Sequence, residues 1–132
     1  MRVYLSRWVC LDVDSNLRRV AEESEHAVAG GARLVVFPES FLPGYTRAVE
    51  PERVRQTLAE ISAVHPNIAY VFGTFTEERR NRLTVWRAGA EIARYDKVHL
   101  FAPNDESHLW DEGSRYAAGK VDGFTWGLVT CN

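Results

Sequence analysis

Three polar side chains stand at the ends of otherwise apolar runs: Glu39 after RLVVFP, Lys97 within RYDKVHLF, and Cys131 closing GLVTC. A cysteine nucleophile needs a base for its thiol proton and a positive or dipolar group for the oxyanion it creates. Glu, Lys and Cys supply those roles together. Taken singly each residue has an ordinary reading, since Glu39 can cap a turn, Lys97 can snorkel, and Cys131 can be one more small buried hydrophobe. Strand ends, however, are where α/β enzymes collect their chemistry. A competing arrangement pairs Cys131 with His99, which strand alternation sets on the same face as Lys97, with Asp96 or Asp105 orienting the ring. That arrangement leaves Glu39 idle. His26 on a helix and His65 before Pro66 read as structural or exposed, and His108 as lining a loop.

Other chemistries find little support in the pattern. Cys10 and Cys131 belong to no CxxC pair, so both read as free thiols, and neither a structural metal nor a redox motif is expected. Asp12, Asp14, Asn16 and Glu23 imitate the acidic spacing of a calcium loop, but Leu17 occupies the position that requires glycine. Neither a P-loop nor a GxGxxG is present.

The elements that must carry Glu39, Lys97 and Cys131 can be read from periodicity. Residues 2–11 (RVYLSRWVCL) are apolar on both alternating faces and read as a strand covered on both sides. Leu17, Val20, Ala21, Ala27 and Val28 recur at helical spacing, with Ser15 or Asn16 as N-cap and Gly30-Gly31 as the stop. Residues 33–37 form a short buried strand ended by Pro38, so Glu39 opens the loop at its C-terminal end. A second helix begins at Pro51 and carries Val54, Leu58, Ile61 and Val64 on one face. Residues 68–75 then read as a strand, and 82–87 and 91–95 as a hairpin across Ala88-Gly89-Ala90. Residues 102–122 show no clean period, and 124–131 read as a final strand. The expected order is β-α-β-α-β-β-β-loop-β, an α/β fold in one domain.

Composition sets the outer limits. The 132 residues carry 16 Lys plus Arg against 18 Asp plus Glu, a net charge of −2, which leaves no basic surplus for phosphate neutralisation and argues against nucleic acid. Hydrophobic content of 45% with 26% charged residues suits a globular chain and is too apolar for disorder. No apolar run approaches the roughly 18 residues a spanning helix needs, and Met1-Arg2 leads into alternation and not a signal-peptide core. A cytoplasmic protein without membrane partners is the expectation.

With these segments in view the sequence resembles the nitrilase superfamily of carbon–nitrogen hydrolases. VVFPESFLPGY resembles the family's glutamate segment, YDKVHLF its lysine segment and GLVTC its cysteine segment, while Asn16-Leu17 and Gly31-Ala32 fit its first helix. The resemblance implies an αββα sandwich and a cofactor-free hydrolase acting on a small amide or nitrile. It implies Glu39 as general base, Lys97 as oxyanion-stabilising cation and Cys131 as nucleophile. It further implies a second active-site acid seven residues before a glycine, for which Glu106 before Gly113 has the spacing and Glu112 is the rival. Tyr45, Phe101, His108 and Trp110 fall in the two loops expected to rim the site, and the backbone N–H of Asn132 is expected to share the oxyanion. Family members continue for about as many residues again beyond the cysteine. Residues 1–132 are therefore expected to form the N-terminal part of a homo-oligomeric amidase domain. Alone they are expected to be inactive, because the α-carboxylate of Asn132 would stand beside the nucleophile and compete for Lys97. A non-catalytic, complementing half-domain is the alternative.

Overall fold

The computed structural model describes residues 1–7, 12–42, 50–75 and 78–130. Asp12 starts the first helix, α1 (Val13–Ala29), by accepting a hydrogen bond from the Ser15 backbone N–H at 2.9 Å, and a second from the Ser15 hydroxyl at 2.7 Å. The cap is thus Asp12, ahead of the expected Ser15 or Asn16, because its carboxylate reaches both groups at once. Those two bonds hold the Asp12 carboxyl below the usual carboxylate range. Gly30 closes the helix and Gly31 turns the chain at φ 69°. The buried face of α1 is Asn16, Leu17, Val20, Glu23, Ser24 and Ala27. Ala21 and Val28 point to solvent instead.

A five-stranded sheet has the order β1-β2-β3-β4-β5. Its strands are β1 (Val3–Leu5), β2 (Leu34–Val36), β3 (Ala69–Phe75), β4 (Asn81–Arg87) and β5 (Ala90–Asp96). The first three are parallel, as crossovers through α1 and α2 (Pro51–Val64) require, and β3, β4 and β5 are antiparallel. Ala88 and Gly89 both adopt left-handed φ in the β4–β5 turn, the conformation that lets a two-residue loop follow strand twist.

Alternation divides the core. Tyr70 and Phe72 of β3 and Trp86 of β4 face the helices with Val20, Val35, Phe37, Phe41 and Leu58. Ala69, Val71, Leu83, Val85 and Tyr95 face the other way, where Val121 and Leu128 cover them. Those two belong to a hairpin of β6 (Ala117–Val121) and β7 (Phe124–Leu128). The described layers are therefore helices, sheet and hairpin, an α/β architecture in which the second sheet begins at β6. The expected loop over 102–122 is partly wrong, since β6 lies inside it. Asp122-Gly123 supplies the turn, with φ of 50° and 83°. Two further expectations fail for burial. Val3 and Leu5 are exposed at 44% and 66%, because β1 is the edge strand and no described element lies over that face. Val64, at the last turn of α2, is likewise exposed. Among the described residues no helix is long and apolar enough to cross a membrane.

Candidate active site

Glu39 is held by the backbone on either side of it. Phe37 donates its N–H to the Val71 carbonyl, after which the chain leaves the sheet at Pro38 and turns through Ser40 at φ 57°. The left-handed region is costly for a residue with a Cβ, so neighbours must enforce it. They do so in three ways. Leu42 returns to β3 by donating to the Gly73 carbonyl at 2.9 Å, and it bridges Thr74. Asn16, fully buried on α1, donates its side-chain N–H to the Phe41 carbonyl at 2.9 Å. Phe37 stacks on Phe72 and packs tilted against Phe41, with ring centroids 5.0 Å apart in both pairs. Gly73 allows this close approach, because a Cβ there would sit 2.5 Å from both the Pro38 carbonyl oxygen and the Ser40 nitrogen.

Lys97 follows β5 directly. Its N–H donates to the Asn81 carbonyl at 2.9 Å and its carbonyl accepts from Gly113 at 2.7 Å, so its backbone is fixed from two sides. Gly113 is needed at that contact, since a Cβ would collide with the Asp96 backbone. One residue earlier, Asp96 takes a two-pronged bond from the buried Arg82 guanidinium at 2.5 and 2.9 Å, which locks the start of β4 to the end of β5. Glu106 opens a 3-10 turn, Glu106–His108, entered through Asp105 at φ 55°. Its carboxylate accepts the Phe101 N–H at 2.8 Å.

These three side chains meet. The Lys97 ammonium, 2% exposed, lies 3.1 Å from Glu39 Oε1 and 2.9 Å from Glu106 Oε2. Glu106 is buried as deeply. Burial alone would push the lysine down, but the hydrogen bonds and charges of Glu106 and Glu39 outweigh it and hold the ammonium above its ordinary value. Lys97 is thus a cation across neutral pH, seated at the strand ends between two acids. Asn81, fully buried, adds a bond that sequence reading did not anticipate: its Nδ2 donates to Glu39 Oε1 at 2.6 Å.

The remaining candidates fall elsewhere. Cys131, Asn132, Tyr45 and Cys10 lie outside the described residues. Glu112 is exposed, and it is its carbonyl, not its carboxylate, that receives a hydrogen bond, from Arg80. Trp110 is 6% exposed and donates its backbone N–H to the Glu106 carbonyl, so it stands close behind that turn. Phe101 is half-buried and His108 exposed beside Asp105. His99 does not share a face with Lys97, because β5 ends at Asp96 and the chain bends beyond it. His99 is exposed near the Tyr116 hydroxyl, Asp96 is engaged by Arg82 and Asp105 is exposed, so the Cys–His arrangement lacks an orienting carboxylate. A cavity of about 300 Å3 between α2 and the helix-side face of β4, lined by Leu58, Arg82, Thr84 and Trp86, does not include Glu39 or Lys97. Among the described residues no group of three or more His, Cys, Asp or Glu stands close enough to hold a metal ion.

A buried acid–lysine–acid cluster at the strand ends of a three-layered α/β fold is the frame of a charge-stabilising site. The chain belongs to the carbon-nitrogen hydrolase family, whose model matches residues 3–132. A glutamine-dependent NAD(+) synthetase of Acinetobacter baylyi is 27% identical over 91% of this chain, which spans 24% of that protein. Among solved structures, a cysteine-to-serine mutant of the Nesterenkonia AN1 amidase from the nitrilase superfamily superposes with a TM-score of 0.85. It is 25% identical over 98% of this chain, which spans 55% of the amidase. The glutamine-dependent NAD+ synthetase of Acinetobacter baumannii has the same fold, with a TM-score of 0.83 at 24% identity over 98% of this chain and 27% of that one. The chain therefore spans about half the length of the amidase and about a quarter of the synthetases.

Proposed function

We propose that this chain carries the acid, lysine and cysteine of an amidase that cleaves small amides through a thioester. The observation that carries the proposal is the buried Lys97 ammonium held between Glu39 and Glu106 at 3.1 and 2.9 Å. In this reading the Cys131 sulfur attacks the amide carbonyl carbon while Glu39 takes the thiol proton. An unperturbed thiol, with a pKa near 8.5, is only a few per cent thiolate at pH 7, and a neighbouring ammonium raises that fraction. Lys97 and the Asn132 N–H hold the oxyanion, an interaction of the kind worth about 3 kcal/mol per donor. The C–N bond then breaks as Glu39 returns its proton to the leaving nitrogen, and ammonia departs. Glu39 next removes a proton from water, the hydroxide adds to the thioester, and the C–S bond breaks as Glu39 passes that proton to the leaving sulfur, which gives the acid and the free thiol. Glu106, bonded to Lys97 and to the Phe101 N–H, keeps the ammonium charged and aimed. Tyr45, Trp110 and Phe101 contribute apolar contact to the substrate, and no cofactor is required.

The names of the relatives, an amidase and a glutamine-dependent synthetase, favour an amide over a nitrile or carbamoyl substrate. The reading includes a cytoplasmic homo-oligomer and no turnover by residues 1–132 alone. The test is ammonia release by the natural protein from a panel of small amides and the matching nitriles, beside sedimentation of the same sample. Release from amides that disappears in Cys131→Ala supports the proposal, and release from nitriles alone overturns the amide assignment.

A further inference from the structure

The Glu39 carboxylate is bonded asymmetrically. Oε1 accepts from the Lys97 ammonium at 3.1 Å and from Asn81 Nδ2 at 2.6 Å. Among the described residues no donor is directed at Oε2. Asn81 itself is fully buried, and its own Oδ1 finds no partner among the described residues. A buried acceptor left unpaired is costly, and rotating the amide by half a turn would bring Oδ1 against the Glu39 carboxylate, two acceptors within hydrogen-bond distance. The Nδ2–Oε1 bond therefore decides the orientation of the amide at the expense of Oδ1. The backbone reinforces the placement. The Asn81 carbonyl accepts the Lys97 N–H, so Asn81 sets the position of the lysine with its main chain and of the acid with its side chain. The adjacent Arg82–Asp96 pair clamps the strand it stands on.

We propose that Asn81 is a positioning residue that, with Lys97, commits Glu39 Oε1 and leaves Oε2 as the oxygen that exchanges protons with thiol, leaving group and water. The inference rests on the reading of Glu39 as the general base. Fixing the carboxylate plane at one oxygen stops it from rotating between equivalent bonding states, and a base must meet its proton along one lone pair of one oxygen. The ionisable groups around Glu39 in the described structure are Lys97 and, across it, Glu106. Neither is altered by changing Asn81.

The test is a double-mutant cycle on the alkylation of Cys131 by iodoacetamide at pH 7 in the natural protein. Asn81→Ala frees the carboxylate to rotate and should slow alkylation about tenfold. The same change made in Glu39→Gln should slow it no further, because the carboxylate that Asn81 orients is then gone. Hydrolysis of a small amide by Asn81→Ala should lose kcat with KM kept within about twofold. Asn81→Asp keeps the shape, removes the donor and sets a second carboxylate against Glu39, so it should lose at least as much, and it supplies the same information if the alanine variant does not fold. Alkylation and kcat unchanged in folded Asn81→Ala, or equal slowing by Asn81→Ala with and without Glu39, would overturn the inference. If Glu39→Gln itself alkylates and turns over at the wild-type rate, it is the base assignment of Glu39 that fails.

Discussion

Replacing Lys97 by methionine removes the cation that lies between buried Glu106 and half-buried Glu39 and retains most of the side chain's volume. Glu39 Oε1 and Glu106 Oε2 each lie about 3 Å from the lysine nitrogen, so the two oxygens are at most about 6 Å apart. At an effective dielectric of about 20 their repulsion at that distance is about 3 kcal/mol. Lys97 and Glu106 are 2% and 5% exposed and Glu39 19%, and the loss of their charge-assisted bonds brings the cost to about 3 to 5 kcal/mol, the range of a buried pair broken by removing one partner. For a chain of this size that corresponds to a fall in Tm of about 10 to 20 °C. Adding Glu106→Gln to Lys97→Met removes one of the two charges and should recover part of the loss. Urea unfolding at pH 7.5 measures all three proteins. A Lys97→Met variant as stable as wild type, or a double variant no more stable than Lys97→Met, would refute this electrostatic account.

The alkaline side provides a second check on the same residue. Because the folded-state affinity of Lys97 for its proton is raised, its stabilisation is complete below about pH 10.4, the unfolded value, and is lost as pH rises through the higher folded value. Urea midpoints from pH 9 to 12 should show that loss in wild type and not in Lys97→Met, and parallel curves would contradict it. Gly73→Ala should destabilise the fold by about 1 to 3 kcal/mol through the clash with Pro38 and Ser40. It should also displace Glu39, and a thermal midpoint unchanged from wild type would show that the loop yields freely. Brief iodoacetamide treatment of the folded protein followed by peptide mass spectrometry should label Cys131 in preference to Cys10, because a cation at a strand end raises thiolate content. Preferential labelling of Cys10 would sink the nucleophile assignment.

Much of the fold was legible because its signals are local. Pro51 at the first turn of α2, the double glycine after α1 and Ala88-Gly89 between β4 and β5 each act within a few residues. Glu39, Lys97 and Glu106 stand out in the sequence as polar residues in segments resembling a family signature, and the structure brings both carboxylates within 3.2 Å of the Lys97 nitrogen. What periodicity missed depends on tertiary approach. Asn81 looks like an ordinary strand residue until β4 carries it to Glu39, 42 positions away. Gly73 and Gly113 show their purpose only against Pro38 and Asp96. The exposure of Val3 and Leu5 follows from edge position, which hydrophobic alternation does not encode. The β6–β7 hairpin had a usable signal, Asp122-Gly123 between AAGKV and FTWGL, masked by the polar stretch before it.

The central claim is that amide cleavage proceeds through acyl transfer to Cys131 under the control of Glu39 and Lys97. Its most direct test is acid quenching of the natural protein during turnover of a small amide, followed by mass analysis of the peptide that contains Cys131. The account predicts a thioester adduct of the substrate's acyl mass on that peptide in wild type, and none in Cys131→Ala or Lys97→Met. Ammonia release that persists in Cys131→Ala, or an acyl adduct on any other residue, would contradict it.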